Sequence, residues 1–371
     1  MIYFDNSATT KPCEAAVAAM NDCLLNIYGN PSSGHEAGMA AAKILKNSRE
    51  TVAKALHTQS ECVYFTASGT LADNIAVLGG AKRSVGAHAV TTAIEHDAVL
   101  GCFHELEKRG FEVTYVKPER DGNIPIEKIA EALRENTSFV SVMTINNETG
   151  AQMPVDKIKA EINKKCPRAL FHTDAVQAFG KTELYPEKTG ADFLSVSGHK
   201  LHAPKGVGAL YIRKGVVPGG VIFGGGQEKN IHSGTENLPA IAALAAACGE
   251  MECMSGVVCD INAYLRQELL KIPCAELNSP DNASPYVLNV SFPKIPSEVI
   301  LNALAGEGIC ASAGSACAAN KAGDSHVLKA MGKSPKSAIR LSFSKYNTMD
   351  EAKKVALTLQ KIIPMLSGVI S

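Results

Sequence analysis

The segment Ser197-Gly198-His199-Lys200 follows directly on a short apolar run and precedes a Pro204-Lys205-Gly206-Val207-Gly208 turn. A lysine that ends a strand fits a solvated cap, but a primary amine beside Ser197 and His199 can also form a Schiff base with a carbonyl cofactor. A second strand-like run ends at Asp174, in His172-Thr173-Asp174-Ala175-Val176-Gln177. A cofactor with a basic ring nitrogen, as pyridoxal phosphate (PLP) has, needs such a carboxylate. The acid favours the charged form of its partner and makes the ring an electron sink.

A phosphate needs its own cradle. Ala67-Ser68-Gly69-Thr70 lies between a strand-like run and a helical one. Backbone N–H groups, a hydroxyl and a helix N-terminus together make an anion site. Thr70 satisfies an ordinary N-cap equally well. His96, in Ile94-Glu95-His96, fits a structural histidine as well as a proton carrier, and Asn147, in Asn146-Asn147-Glu148-Thr149-Gly150, fits a turn as well as a ligand.

The elements that must position these residues alternate in type. Strands are expected at 62–66, 88–92, 112–116, 139–145, 169–173, 193–197 and 207–212, with helices at 70–82, 98–109, 126–134 and 155–165 between them. Alternation of this kind marks an open, largely parallel sheet. Ligands bind outside the carboxyl ends of its strands. Beyond residue 250 the pattern changes to a helix at 260–270, strands at 287–291 and 338–343, and helices at 297–307 and 349–366. Two domains are expected: a large one over 14–250, and a smaller α+β one built from 1–13 and 251–371.

Composition narrows the function. The chain has 371 residues, 46% hydrophobic, and Lys plus Arg (37) balances Asp plus Glu (37). That balance argues against nucleic-acid binding through counterion release and against a polybasic membrane surface. The first residues, MIYFDNSATTK, show no basic segment leading into an apolar one, so no secretory signal is read there. The apolar stretch 238–248 is too short for a span of roughly 20 residues. Eleven scattered cysteines without CxxC pairs read as reduced thiols in a cytoplasm, mostly buried, and no metal site is expected.

Together the motifs resemble the cysteine desulfurases of the class V aminotransferase group, of the nitrogenase-maturation and iron–sulfur-cluster type. These are PLP enzymes of fold type I. The resemblance runs nearly end to end, through residues 3–10, 30–35, the Ser68-Gly69-Thr70 loop, Glu95-His96, 146–150, 172–178, 197–200, 224–228, 233–237, 314–317 and Ile339-Arg340. It implies a large domain with a mainly parallel seven-stranded sheet and a smaller α+β domain. It also assigns roles. Lys200 corresponds to the lysine that carries PLP, Asp174 to the partner of the pyridine nitrogen, and Gln177 to the donor to the ring hydroxyl. His96 corresponds to the imidazole stacked on the ring and suited to proton transfer. Gly69, Thr70, Ser197 and His199 match the phosphate site. Thr235 matches a phosphate ligand that the family supplies from the neighbouring subunit, which implies a homodimer. Asn147, beside the cofactor, and Arg340 resemble the residues that hold the substrate carboxylate, a task suited to the planar fork of arginine.

Cys317 resembles the catalytic cysteine. Residues 312–324 (SAGSACAANKAGD) are small and polar and read as a mobile loop able to carry a nucleophile. Cys310 is expected to be structural. The family commonly has Arg where this chain has His232, which leaves contacts across the dimer in doubt. The implied reaction turns L-cysteine into L-alanine and leaves the sulfur as a persulfide on Cys317. An acceptor such as an iron–sulfur scaffold or a thiolation enzyme would then receive it. Selenocysteine lyase or aminotransferase chemistry on the same fold is the alternative reading.

Overall fold

The computed structural model describes residues 1–81, 86–314 and 325–370. Twelve strands are present among these residues. β1 (Ile2–Tyr3) is followed by β2 (Val63–Thr66), β3 (His88–Thr92), β4 (Glu112–Val116), β5 (Thr137–Ser141), β6 (Leu170–Asp174), β7 (Phe193–Ser197) and β8 (Gly208–Ile212). The later strands are β9 (Glu276–Leu277), β10 (Val287–Ser291), β11 (Ile309–Cys310) and β12 (Ala338–Ser342). The large sheet has seven strands in the order β2-β8-β7-β6-β5-β3-β4. Only β8 runs against the others, through antiparallel pairing with β2 and β7.

Every residue of β3, β7 and β8 is buried. That follows from helices covering both faces, which removes any need for polar alternation. Helix Gly69–Gly80 lies across the sheet close to its strands. A Cβ on Gly80 would come within 2.6 Å of the Phe139 ring and 2.7 Å of the Phe193 ring, so only glycine allows that approach. Helix Leu238–Gly249, capped by the Asn237 side chain accepting from Ala240 N, is buried along almost its whole length. The apolar stretch at 238–248 is therefore a core helix.

The second body packs helices Gly256–Leu269, Ser297–Gly306 and Met349–Ile370 around the β12-β10-β9 sheet. Ile2 and Phe4 belong to that core. β1 pairs in parallel with β11, and Ser342 N donates to Phe4 O at 2.7 Å. Cys13, by contrast, packs into the cluster under the large sheet. The first residues therefore run from one core to the other and cross the strand ends on the way.

One strand, β5, departs from its expected span by more than a residue. The ladder at 137–141 ends before Ile145, because the Asn146 side chain turns the chain: its Oδ1 accepts from Glu148 N and Thr149 N, each at 2.9 Å. Residues 142–144 still donate to β6, through Val142 N to His172 O and Thr144 N to Asp174 O. Strands β1, β9 and β11 have two residues each, too few for any period to show.

Asp192, fully buried at the foot of β7, ties the two strands that carry Asp174 and Lys200. It accepts from Phe171 N at 2.8 Å, from Lys159 Nζ at 3.0 Å and from Arg213 Nε at 2.6 Å. Asp192→Ala leaves a buried N–H and two cations without their acceptor. It should cost about 2–4 kcal/mol, read as a lowered urea midpoint. An unchanged midpoint would mean that the sheet holds these strands without it.

Candidate active site

The carboxyl ends of β2, β3, β5, β6 and β7 open along one edge of the sheet, and a cavity of about 160 Å³ lies there. It is lined by Gly69, Thr70, His96, Asn147, Asp174, Gln177, Ser197, His199, Lys200 and Arg340. Ten residues from six separate segments of the chain thus meet at one place. The cavity also takes in Ser7, Ala8 and Asp73, which sequence reading did not single out.

Lys200 stands on the single turn after β7. Its Nζ donates to Ser7 O at 2.6 Å and Ala8 O at 2.7 Å. His199 is held by the same N-terminal segment: its Nδ1 lies 3.1 Å from Thr9 Oγ1, and its carbonyl accepts from Thr10 N at 2.9 Å. Burial, with Lys200 close by, pushes the His199 imidazole down to about 4, so the ring is neutral near pH 7.

The cap of helix Gly69–Gly80 is Ser68, whose Oγ accepts from Leu71 N at 3.1 Å. Thr70 is therefore not the cap: it sits inside the first turn, with its exposed side chain on the cavity. A Cβ on Gly69 would come within 2.9 Å of Val176 Cγ2 and 3.0 Å of Ser197 Cβ. The helix end therefore lies directly against the ends of β6 and β7. First-turn N–H groups at such an end attract an anion.

His96 caps helix Asp97–Lys108, with Nδ1 accepting from Ala98 N at 3.1 Å, which places the neutral ring's proton on Nε2. The structural reading of this histidine is thus met by its capping role, while its ring also lines the cavity. Below it lies a group of buried acids. Burial raises Asp174 to about 6, with Asp73 adding to the effect, and its Oδ1 accepts from Val176 N at 2.8 Å. Burial also raises Asp73 to about 7 and Glu95 to about 8. Asp73 Oδ1 and Glu95 Oε2 are buried without a hydrogen-bond partner. His172, wholly buried and pushed down to about 4, sits between Ser141 Oγ at 2.8 Å and Ser195 Oγ at 3.0 Å.

Arg340, 1% exposed, reaches in from β12. Its Nη1 donates to Asn147 O and its Nη2 to Asp5 Oδ1, both at 2.9 Å, while Nε is buried without a partner. Its backbone N donates to Ser312 O at 2.6 Å. Ser325 Oγ donates to Glu148 Oε2, and a Cβ on Gly314 would lie 3.2 Å from the same oxygen. Both flanks of residues 315–324 therefore meet the loop that carries Asn147. Cys317 itself lies outside the described residues.

Two expected residues stand apart. Thr235 lines a different cavity, together with His232 and residues 65–67. His232 Nδ1 lies 3.1 Å from Phe65 O. Cys310 is half-buried in β11, and Phe4 N donates to its carbonyl at 2.9 Å, as a structural residue would have it.

The missed Asp73 is one helical turn beyond Thr70, facing inward. Its sequence signal was a charged residue on the buried face of a helix. Its titration is testable. A folded carboxyl raised from 3.8 to about 7 stabilises fully below pH 3.8 and loses that contribution as pH rises through 7. Relative to wild type, Asp73→Asn should therefore gain stability steadily from pH 4 to pH 8 in urea unfolding of the ligand-free protein. A difference independent of pH would show that this carboxyl ionises freely in the fold.

The aminotransferase class-V family model matches residues 2–355. A cysteine desulfurase of Nostoc sp. is 38% identical over 99% of this chain and 94% of its own. A solved NifS-like protein superposes with a TM-score of 0.91 at 36% identity, covering 98% of this chain and all of its own. A structure described as SspA in complex with cysteine superposes with a TM-score of 0.84 at 31% identity, covering 94% and 100%.

Proposed function

The chain belongs to the aminotransferase class-V family and is a cysteine desulfurase of PLP fold type I, and from that premise we propose that the strand-end cavity holds PLP and L-cysteine while Cys317 takes the sulfur. The observation that carries this is the meeting, in one cavity, of an amine, a buried acid, a helix end and a buried guanidinium with an unpartnered Nε. The groups fit PLP. The close approach of Gly69 to Ser197 leaves the helix N-terminus open to a phosphate, flanked by Thr70, Ser197 and His199. A neutral His199 takes part as a hydrogen-bonding group without adding charge. Asp174, lifted by burial, gains the cation that its surroundings lack when a protonated ring nitrogen sits beside it.

When bound, PLP supplies a protonated ring that takes up the electron pair left at the substrate Cα. The chain's own residues do the rest. Lys200 Nζ would hold the cofactor and is the base placed to move the substrate Cα proton. Asp174 would keep the ring nitrogen protonated, Gln177 Nε2 would donate to the ring oxygen, and the His96 ring, with its Nε2 proton available, would stack on it. Asn147 and Arg340 hold the substrate carboxylate, with Arg340 Nε as the donor still to be satisfied. The Cys317 thiolate attacks the substrate sulfur. The Cβ–S bond breaks, its electron pair returns to Cβ and picks up a proton, and a new S–S bond leaves a persulfide on Cys317. The sum is L-cysteine and thiol giving L-alanine and persulfide.

The same proposal includes a homodimer in which the second copy brings Thr235 to the phosphate, since Thr235 lines another cavity in its own chain. It takes residues 14–250 as the cofactor-holding domain and 1–13 with 251–371 as the smaller one, supported by Ile2 and Phe4 in the latter's core. A sulfur acceptor such as an iron–sulfur scaffold, in the cytoplasm, completes it. The described cysteines are all free, and no described helix is long and apolar enough to cross a membrane.

Cys317→Ser tests the sulfur step. The variant should bind PLP and show a spectral change with L-cysteine, yet alanine and sulfide should fall to background and no labelled sulfur should remain on the protein. Cys310→Ser should stay active. Retained desulfuration by Cys317→Ser would place the nucleophile elsewhere, and a keto acid in place of alanine would make the protein an aminotransferase.

Arg340→Lys keeps the charge and loses the fork. Losing a charge-assisted hydrogen bond costs about 1.5–3 kcal/mol, so KM for cysteine should rise roughly tenfold or more with the cofactor spectrum nearly unchanged. An unaltered KM would leave the carboxylate to Asn147.

A further inference from the structure

Four residues beyond Gln177, on the turn that follows β6, Lys181 is 6% exposed. It is positioned tightly. Lys181 N donates to Ala178 O at 3.0 Å, and Gly180 before it has φ +80. Its Nζ lies 2.7 Å from Gln177 Oε1. Gln177 Nε2 in turn donates to Ser7 O at 3.0 Å, and Ser7 O also accepts from Lys200 Nζ at 2.6 Å. A continuous path, Lys181–Gln177–Ser7–Lys200, thus runs beneath the cavity. Among the described residues no acid forms an ion pair with Lys181. Burial first, then Lys200 and Arg340, push its ammonium down to about 7. A lysine kept in such surroundings is costly; against that it has the Gln177 carbonyl at 2.7 Å and the Tyr286 ring, whose centroid lies 5.7 Å from its Nζ.

An amide has two ends of nearly equal shape and opposite chemistry. A lysine ammonium only donates and a carbonyl only accepts. With the Lys181 ammonium on one side and Ser7 O on the other, Gln177 has one satisfied orientation, Oε1 to Lys181 and Nε2 to Ser7; once the amine is neutral, Ser7 O alone still requires it. Reversal would set donor against donor and acceptor against acceptor at once. The satisfied orientation leaves the second Nε2 hydrogen for a ligand in the cavity. Donation from Lys181 also polarises the amide and strengthens that N–H.

We propose that Lys181 is a positioning residue, which locks the Gln177 amide so that its N–H end faces the cofactor's ring oxygen. The inference rests on the reading above that Gln177 donates to that oxygen. Lys181 itself touches neither cofactor nor substrate.

The test uses the PLP-loaded enzyme and follows the pH midpoint of its visible band, with thermal unfolding as a check on the fold. Gln177→Ala should move the midpoint by roughly one unit, as loss of a hydrogen bond to a charged oxygen does. Lys181→Met should move it in the same direction by at least half as much, and the double variant should move no further than Gln177→Ala alone. If the two shifts add, Lys181 acts through its charge on Lys200 and the proposal fails. If Gln177→Ala shifts the midpoint and Lys181→Met does not, the proposal fails while the cofactor reading stands. If Gln177→Ala shifts nothing, the reading beneath it fails and takes the proposal with it. Lys181→Gln disturbs the core less and keeps a donor, so its midpoint should stay within a few tenths of a unit of wild type. A shift there as large as that of Gln177→Ala would overturn the proposal without reference to Lys181→Met.

Discussion

Three cationic side chains, Lys181, Lys200 and Arg340, are buried or half-buried around one set of strand ends, and the fold has to supply them with acceptors. Left unpaired they would repel one another in a medium that screens poorly. The first residues of the chain provide most of what is needed. Ser7 O and Ala8 O take the Lys200 ammonium, Asp5 takes the Arg340 guanidinium, and Ser7 O also takes the Gln177 amide that Lys181 holds. Residues 5–10 must therefore cross the site, and Thr10, bonded to His199 O, fixes them there. The run of Ile2 and Phe4 into one core and Cys13 into the other keeps that crossing taut.

On the sheet side the same edge carries buried acids, Asp73, Glu95 and Asp174, all raised by burial. The site thus has its cations toward the N-terminal crossing and these carboxyl groups toward the helix and strand ends. Groups fixed in place before a ligand arrives need no reorganisation when charge develops on it. The price is a set of unsatisfied atoms, Asp73 Oδ1, Glu95 Oε2 and Arg340 Nε. Buried polar groups without partners cost about 1–3 kcal/mol each. Asp73 and Arg340 line the cavity where the ligand is to sit.

Much of this was legible along the chain. β3 and β7 fall where the period and the residue types put them, because a strand covered on both faces reads as a short apolar run with polar residues at its end. Thr70, Ser197, Asp174 and Lys200 share a cavity because each stands just past such a run. Other features were not legible. Ser68 and Thr70 are both good caps, and the choice between them depends on where the helix axis meets β6 and β7. The early end of β5 depends on a single side chain, Asn146, folding back on its own loop.

By itself, the sequence determined the alternation of strand and helix, the residue types at each strand end, and the order of motifs that marks the family, since these depend on neighbours within a few positions. Only the tertiary structure decided which carbonyls receive Lys200 and how the Gln177 amide is turned. It alone also made Asp73 part of the site and brought the flanks of residues 315–324 against Glu148. The physical reason is that desolvation and charge pairing are set by atoms that lie far apart in the chain. Ser7 and Lys200, or Asp5 and Arg340, carry no mark in the local pattern of the contact that folding forces on them.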